Sequence, residues 1–189
     1  MKVLKAISSE HASVQTNEMF TAIKQNVGRV PNLYAAIGNS SNLLSGFLQF
    51  GEILSKGVFS KCEQEAIALA VSQSNGCSYC ISAHTALAKM AGFTEEQTLE
   101  LREGTSKNIK LNAITNLALE ITENKGKASA TAIENFFNAG YSEAAFAELI
   151  GLVSLRILTN YIYTNGDFEI DFPKAKFIEE EEEEVLSQA

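Results

Sequence analysis

Two prolines, Pro31 and Pro173, are all that the 189-residue chain contains, and both sit where one segment gives way to another. No alternation of apolar and polar residues persists anywhere, and β-branched clusters are sparse. The chain therefore reads as all-α. Helices are predicted over about Asn17 to Gly28, from Pro31 through Ala36, and over Asn42 to Lys56 with Gly57 as the stop. Leu43, Leu44, Phe47, Leu48, Phe50 and Ile53 of the third are available to the core. Ser60-x-x-Glu63 has the form of a capping box and opens an apolar helix to Ser74. Asn75–Gly76 ends it and lets the chain reverse into a helix from Cys77 to Ala91, closed by Gly92. Thr94-x-x-Gln97 caps a helix to about Arg102. Asn112 to Asn124, Ala130 to Ala139 and Ser142 to about Tyr163 complete the set.

A composition of 46% apolar and 20% charged residues suits one globular domain with a full core. The expected domain spans 1–175, with its central motif at 60–92 and an acidic tail at 176–189. Glu179 to Glu184 carry six of the eight net negative charges, so the body is left at about −2. Such a body has no electrostatic footprint for nucleic acid. The tail reads as a solvated end. The start of the chain lacks a secretory signal and no run of 18 apolar residues occurs, so a cytoplasmic protein with no membrane partner is expected.

The three cysteines and two histidines are not scattered evenly. Cys77, Cys80 and His84 fall in one short window, and Glu65 lies twelve residues before Cys77 inside an otherwise apolar stretch. On a helix, Cys77 and Cys80 are i and i+3 and Cys80 and His84 are i and i+4, so all three can share a face. Across the reversal at Asn75–Gly76, Glu65 and His84 stand at nearly the same height, roughly 14 Å from the turn. The pair of cysteines lies nearer the turn and solvent. A helix start favours thiolate, a second thiol can close a disulfide, and His84 oriented by Glu65 can move the proton. The Tyr79 hydroxyl is placed either to donate to a peroxide oxygen or to pack. Two thiolates, an imidazole and a carboxylate also make a conceivable zinc set. No second C-x-x-C accompanies them, and the expectation is no metal and no cofactor. A thioredoxin-like protein is disfavoured because no strand precedes Cys77. Cys62, near the far end of the hairpin, reads as an inert core thiol, and His11 as a surface residue.

These residues carry a resemblance. Glu65-x11-Cys77-x-x-Cys80-x3-His84 resembles the signature of the alkylhydroperoxidase D-like proteins within the carboxymuconolactone decarboxylase superfamily. Val30–Pro31–Asn32–Leu33, Ala66 to Val71, Ser82 to Thr85, Asn160–Tyr161 and Glu169 to Pro173 are similar to its peroxidase-related branch, so the likeness covers about residues 28 to 173. The resemblance implies an all-α multi-helix bundle with the C-x-x-C at the start of a helix in an antiparallel hairpin, assembled as a homo-oligomer, a trimer or hexamer. It implies a thiol-dependent peroxidase in which Cys80 attacks the hydroperoxide and Cys77, the more exposed, resolves it. Glu65 and His84 take the proton-relay positions. A dithiol or a lipoylated protein is the implied reductant. Tyr79 departs from the well-known alkylhydroperoxidase, which has a histidine between the cysteines. Two other classes stay open: a non-catalytic redox sensor or metal-binding protein using the same thiols, and a cysteine-independent enzyme that shares only the fold.

Overall fold

The computed structural model describes residues 2–178, so the expected acidic run at Glu179 to Glu184 lies outside the described residues. Nine helices account for the regular structure among those residues. They are α1 (Val14–Val27), α2 (Asn32–Ile37), α3 (Ser41–Ser55), α4 (Lys61–Ser74), α5 (Ser78–Met90), α6 (Glu95–Glu103), α7 (Ile109–Glu123), α8 (Ala130–Asn138) and α9 (Glu143–Thr164). Beside them there is one isolated parallel bridge, Leu4 to Gly166. The all-α expectation holds.

Helix starts follow side-chain caps, which is also why two of them begin earlier than expected. Ser13 accepts from the Thr16 amide and starts α1 at Val14 instead of Asn17. Asn108 accepts from the Lys110 and Leu111 amides and starts α7 at Ile109 instead of Asn112. Pro31 caps α2 from outside it, where its missing N–H costs nothing. The capping boxes at Ser60/Glu63 and Thr94/Gln97 both form.

α4 is the axis of the bundle and packs against α5, α6, α7 and α9. Ala66 to Val71 have no exposed surface at all. Burial of Ile67, Leu69 and Val71 stabilises the fold by about 1.5–3 kcal/mol each. The hairpin from α4 to α5 is closed by paired backbone bonds, from Cys77 N–H to Ser72 C=O at 2.9 Å and from Gly76 N–H to Gln73 C=O at 2.9 Å. Gly76 sits between them at φ +60°, the left-handed conformation this reversal requires.

α3 differs from its expected role. Leu44 and Phe47 enter the core and Leu48 packs at its margin, but Leu43, Phe50 and Ile53 face outward, Ile53 with 68% of its surface exposed. α9 is long and apolar enough by length and composition to cross a membrane. It is nonetheless a core-packing helix here, laid against α2, α3, α4, α5 and α7. After α9 the chain is pinned by the N-terminal segment, with Val3 and Leu4 amides donating to Asn165 C=O. It then runs back as a strap, residues 167–178, bonded to Arg29, to Asn32 at the start of α2, to Tyr79 and Ser82 of α5 and to Arg102 of α6.

Candidate active site

Cys77 is the N-cap of α5, so its sulfur accepts from the Cys80 amide at 3.3 Å. Cys80 thus lies in the first turn, where free N–H groups and the helix dipole favour negative charge. Its Sγ is 4.0 Å from Thr159 Oγ1 of α9. One turn further along α5, His84 Nδ1 meets Glu65 Oε2 of α4 at 2.7 Å, both groups buried. The hairpin geometry expected for Glu65 and His84 is the one observed.

The two thiols are electrostatically unlike. Cys80 is held below the ordinary thiol value, first by the hydrogen bond from Cys77, with Asn160, Thr159 and the Arg156 charge adding to it against burial. Cys77 is pushed far up, by that same hydrogen bond and then by burial, and stays a protonated donor. His84 is pushed down by burial and by Arg156, against the pull of Glu65, and is neutral. Burial pushes Glu65 up, but the charge and hydrogen bond of His84, with Arg156 and Lys61, outweigh it and the carboxyl stays below its ordinary value. The pair is therefore an imidazole donating Nδ1–H to a carboxylate, which leaves Nε2 as the base.

A cavity of about 250 Å³ opens beside these groups. Cys80 and His84 line it, with Val27, Leu33, Tyr34, Phe47, Leu87 and Phe172 as its apolar walls and Arg156 and Thr159 from α9. Cys77 is not in its lining. The exposure expected of Cys77 is corrected: both cysteines are buried, with 1% of the surface of Cys77 and 2% of that of Cys80 exposed. The buried Asn160 of α9 reaches the turn of the hairpin, accepting from Asn75 Nδ2 at 2.9 Å and donating to Ser72 Oγ at 3.4 Å, and it is among the groups that act on both thiols.

Tyr79 is buried, lines the same cavity, and has its hydroxyl engaged by groups other than the thiols. It donates to Asp171 Oδ1 at 2.6 Å and accepts from the Leu33 amide at 3.2 Å. Its ring packs edge-on against Phe168 and Phe172 and also meets Tyr163. Asp171 in turn pairs with Arg29 and accepts from the Asn32 amide. Arg29 also stacks over Phe172, 4.6 Å from its centroid. Further on, the strap is tied by Ala175 N–H to Ser82 Oγ at 3.3 Å and by Arg102 to Lys176 C=O at 2.7 Å. Cys62 is half-buried rather than a full core residue, its thiol 3.5 Å from Ala91 C=O at the far end of the hairpin. His11 is a surface residue bonded to Ser8. Among the described residues no three His, Cys, Asp or Glu side chains gather closely enough to hold a metal ion. Arg156, Asn160 and Asp171 took no role in the sequence reading, although Asn160 and Asp171 lie in stretches that carried the resemblance.

The all-α bundle with its thiol hairpin is a fold shared with solved structures, and its central segment is similar to one protein family. Residues 42–106, which hold the whole Glu65-to-His84 motif, match the Carboxymuconolactone decarboxylase family. A curated relative is the Alkyl hydroperoxide reductase Rv2159c of Mycobacterium tuberculosis, 28% identical over 93 residues. That match spans 49% of this chain and about a quarter, 27%, of the relative. Among solved structures the debrominase Bmp8, in a variant bound to 2,3,4-tribromopyrrole, superposes with a TM-score of 0.76 at 19% identity, covering 90% of this chain and 92% of that one. A peroxidase-related protein from Silicibacter sp. TM1040 gives 0.74 at 20% identity over 86% and 90% of the two chains. The bundle is shared, and proteins built on it carry more than one activity.

Proposed function

We propose that the protein is a cofactor-free thiol peroxidase that reduces organic hydroperoxides through Cys80 and Cys77. The observation that carries this reading is the asymmetry of the thiols: Cys80 lines the cavity and is favoured as thiolate, while Cys77 sits behind it as a protonated donor. The Cys80 thiolate attacks a peroxide oxygen and the O–O bond breaks. His84 Nε2 takes up the proton that the Cys80 thiol loses on becoming thiolate and hands it to the departing alkoxide, and an alcohol leaves. Cys80 is left as sulfenic acid. Cys77 then gives up its proton and attacks the Cys80 sulfur, forming the disulfide and releasing water. An external dithiol, free or as a lipoyl group on a protein, returns two electrons. Glu65 keeps His84 in the required tautomer throughout. The name of the mycobacterial relative supports the same chemistry. The tie between Tyr79 and Asp171 makes Tyr79 the anchor of the strap that roofs the cavity.

The test is steady-state consumption of cumene hydroperoxide with dihydrolipoamide by wild type, Cys80→Ser and Cys77→Ser. Turnover should vanish in both variants, with Cys77→Ser still consuming one equivalent of peroxide. Turnover that survives both substitutions would move the protein to the cysteine-independent enzymes. A wild type that oxidises once and does not turn over would make it a sensor.

A further inference from the structure

Arg156 lies where a catalytic thiol, its base and an apolar cavity meet, and the chemistry described above does not use its charge on any substrate. It stands on α9 one turn before Thr159, the residue next to Cys80 Sγ, and it lines the cavity with Cys80 and His84. Its Nε is buried without a hydrogen-bond partner. Among the described residues the salt bridges are Arg29–Asp171, Lys56–Glu52, His84–Glu65 and Lys89–Glu95, so the Arg156 guanidinium has no carboxylate of its own. None of the residues lining the cavity is acidic. The nearby buried carboxylate, Glu65, is held by His84 at 2.7 Å.

A guanidinium in apolar surroundings is costly unless an anion or acceptor satisfies it. The Cys80 thiolate is one counter-charge, but Cys77 is the chief influence holding that thiol down and Arg156 the least of the named ones. The walls are mostly apolar, with Val27, Leu33, Phe47, Leu87 and Phe172 among them, and suit a hydrocarbon or aromatic body. The volume, about 250 Å³, falls just below the usual range of ligand cavities and so suits a small substrate.

We propose that Arg156 binds an acid group of the substrate, so that the site takes a small hydroperoxide with an apolar body and one carboxylate. Arg156 presents the planar donor fork that matches a carboxylate. Anchoring the acid there lays the substrate across the cavity floor toward Cys80 and gives the buried Nε its missing acceptor. The substrate class rests on the peroxidase reading; the anion site itself does not.

Two measurements separate them. The first compares cumene hydroperoxide with its para-carboxylated analogue in wild type, Arg156→Met and Arg156→Gln. The wild type should prefer the carboxylated peroxide, and the ratio of the two kcat/KM values should fall about ten- to a hundredfold in both variants. The neutral peroxide reports, within each variant, how much of the thiol site is intact. A ratio that does not change, or a wild type without the preference, overturns the proposal. The second uses no turnover: calorimetric binding of 4-isopropylbenzoate and of its uncharged amide to Cys80→Ser, with and without Arg156→Met. The benzoate should bind at least about tenfold tighter, and Arg156→Met should erase the difference. Equal binding overturns the anion site. Arginine-dependent benzoate binding in a protein that does not turn over peroxide keeps the anion site and discards the peroxidase reading.

Discussion

Glu65 and His84 are ionisable groups inside a helical core, and their protonation ties stability to pH. His84 in the folded protein lies below its ordinary 6.5 because burial and Arg156 oppose its charge. Glu65 lies below its ordinary 4.5 because His84, Arg156 and Lys61 outweigh the opposing effect of burial. For both, the unfolded chain holds more protons than the folded one in the range between the two values, so stability rises with pH. The contribution is complete above about pH 6.5 and declines as pH falls, first as the unfolded-state imidazole charges and then, below about 4.5, as the unfolded-state carboxylate protonates. Denaturant midpoints should therefore fall between about pH 7.5 and 5.5, and His84→Gln should flatten that fall. A His84→Gln protein with the wild-type slope would show that the histidine is not the titrating group.

The α4–α5 hairpin is the element that makes the site, and most of it is legible from residue order alone. Helical spacing and the reversal at Asn75–Gly76 are enough to bring Glu65 to His84 and to put Cys77 and Cys80 in the first turn. Sequence spacing cannot see what lies over the hairpin. Arg156, Thr159 and Asn160 arrive on α9, more than seventy residues after Cys80, and Asp171 arrives on the strap. The burial of Cys77 is not legible from spacing within the hairpin either, since Asn160, which bonds Asn75 and Ser72 at the turn, comes from a helix far along the chain. The outward stripe on α3 was hidden because apolar spacing marks a face without saying whether this chain or another covers it. The turn itself has a measurable cost of alteration. Gly76 is at φ +60° with no heavy atom near an added Cβ, so Gly76→Ala meets backbone strain and no clash. Urea unfolding should show a loss of about 1–2 kcal/mol. An unchanged midpoint would mean that the reversal does not hold the hairpin.

At the scale of the whole molecule, Leu43, Phe50 and Ile53 form an apolar stripe along α3, and Ile150 of α9 is also exposed. Phe50 packs close to Gly151, which places the two helices side by side at this surface. A second copy of the chain is the expected cover, in keeping with the homo-oligomer implied by the resemblance. Light scattering coupled to gel filtration should give a mass above 20.5 kDa, and Ile53→Glu should lower it toward that value. A wild-type monomer would assign the stripe to something other than self-assembly. The tie from Tyr79 through Asp171 to Arg29 spans the same scale, joining three stretches that are far apart in sequence. For protein engineering this makes the residue between the two cysteines a poor place to tune redox behaviour alone. A change there also alters the anchoring of the cavity roof, so a useful library would vary positions 79, 171 and 29 as one unit.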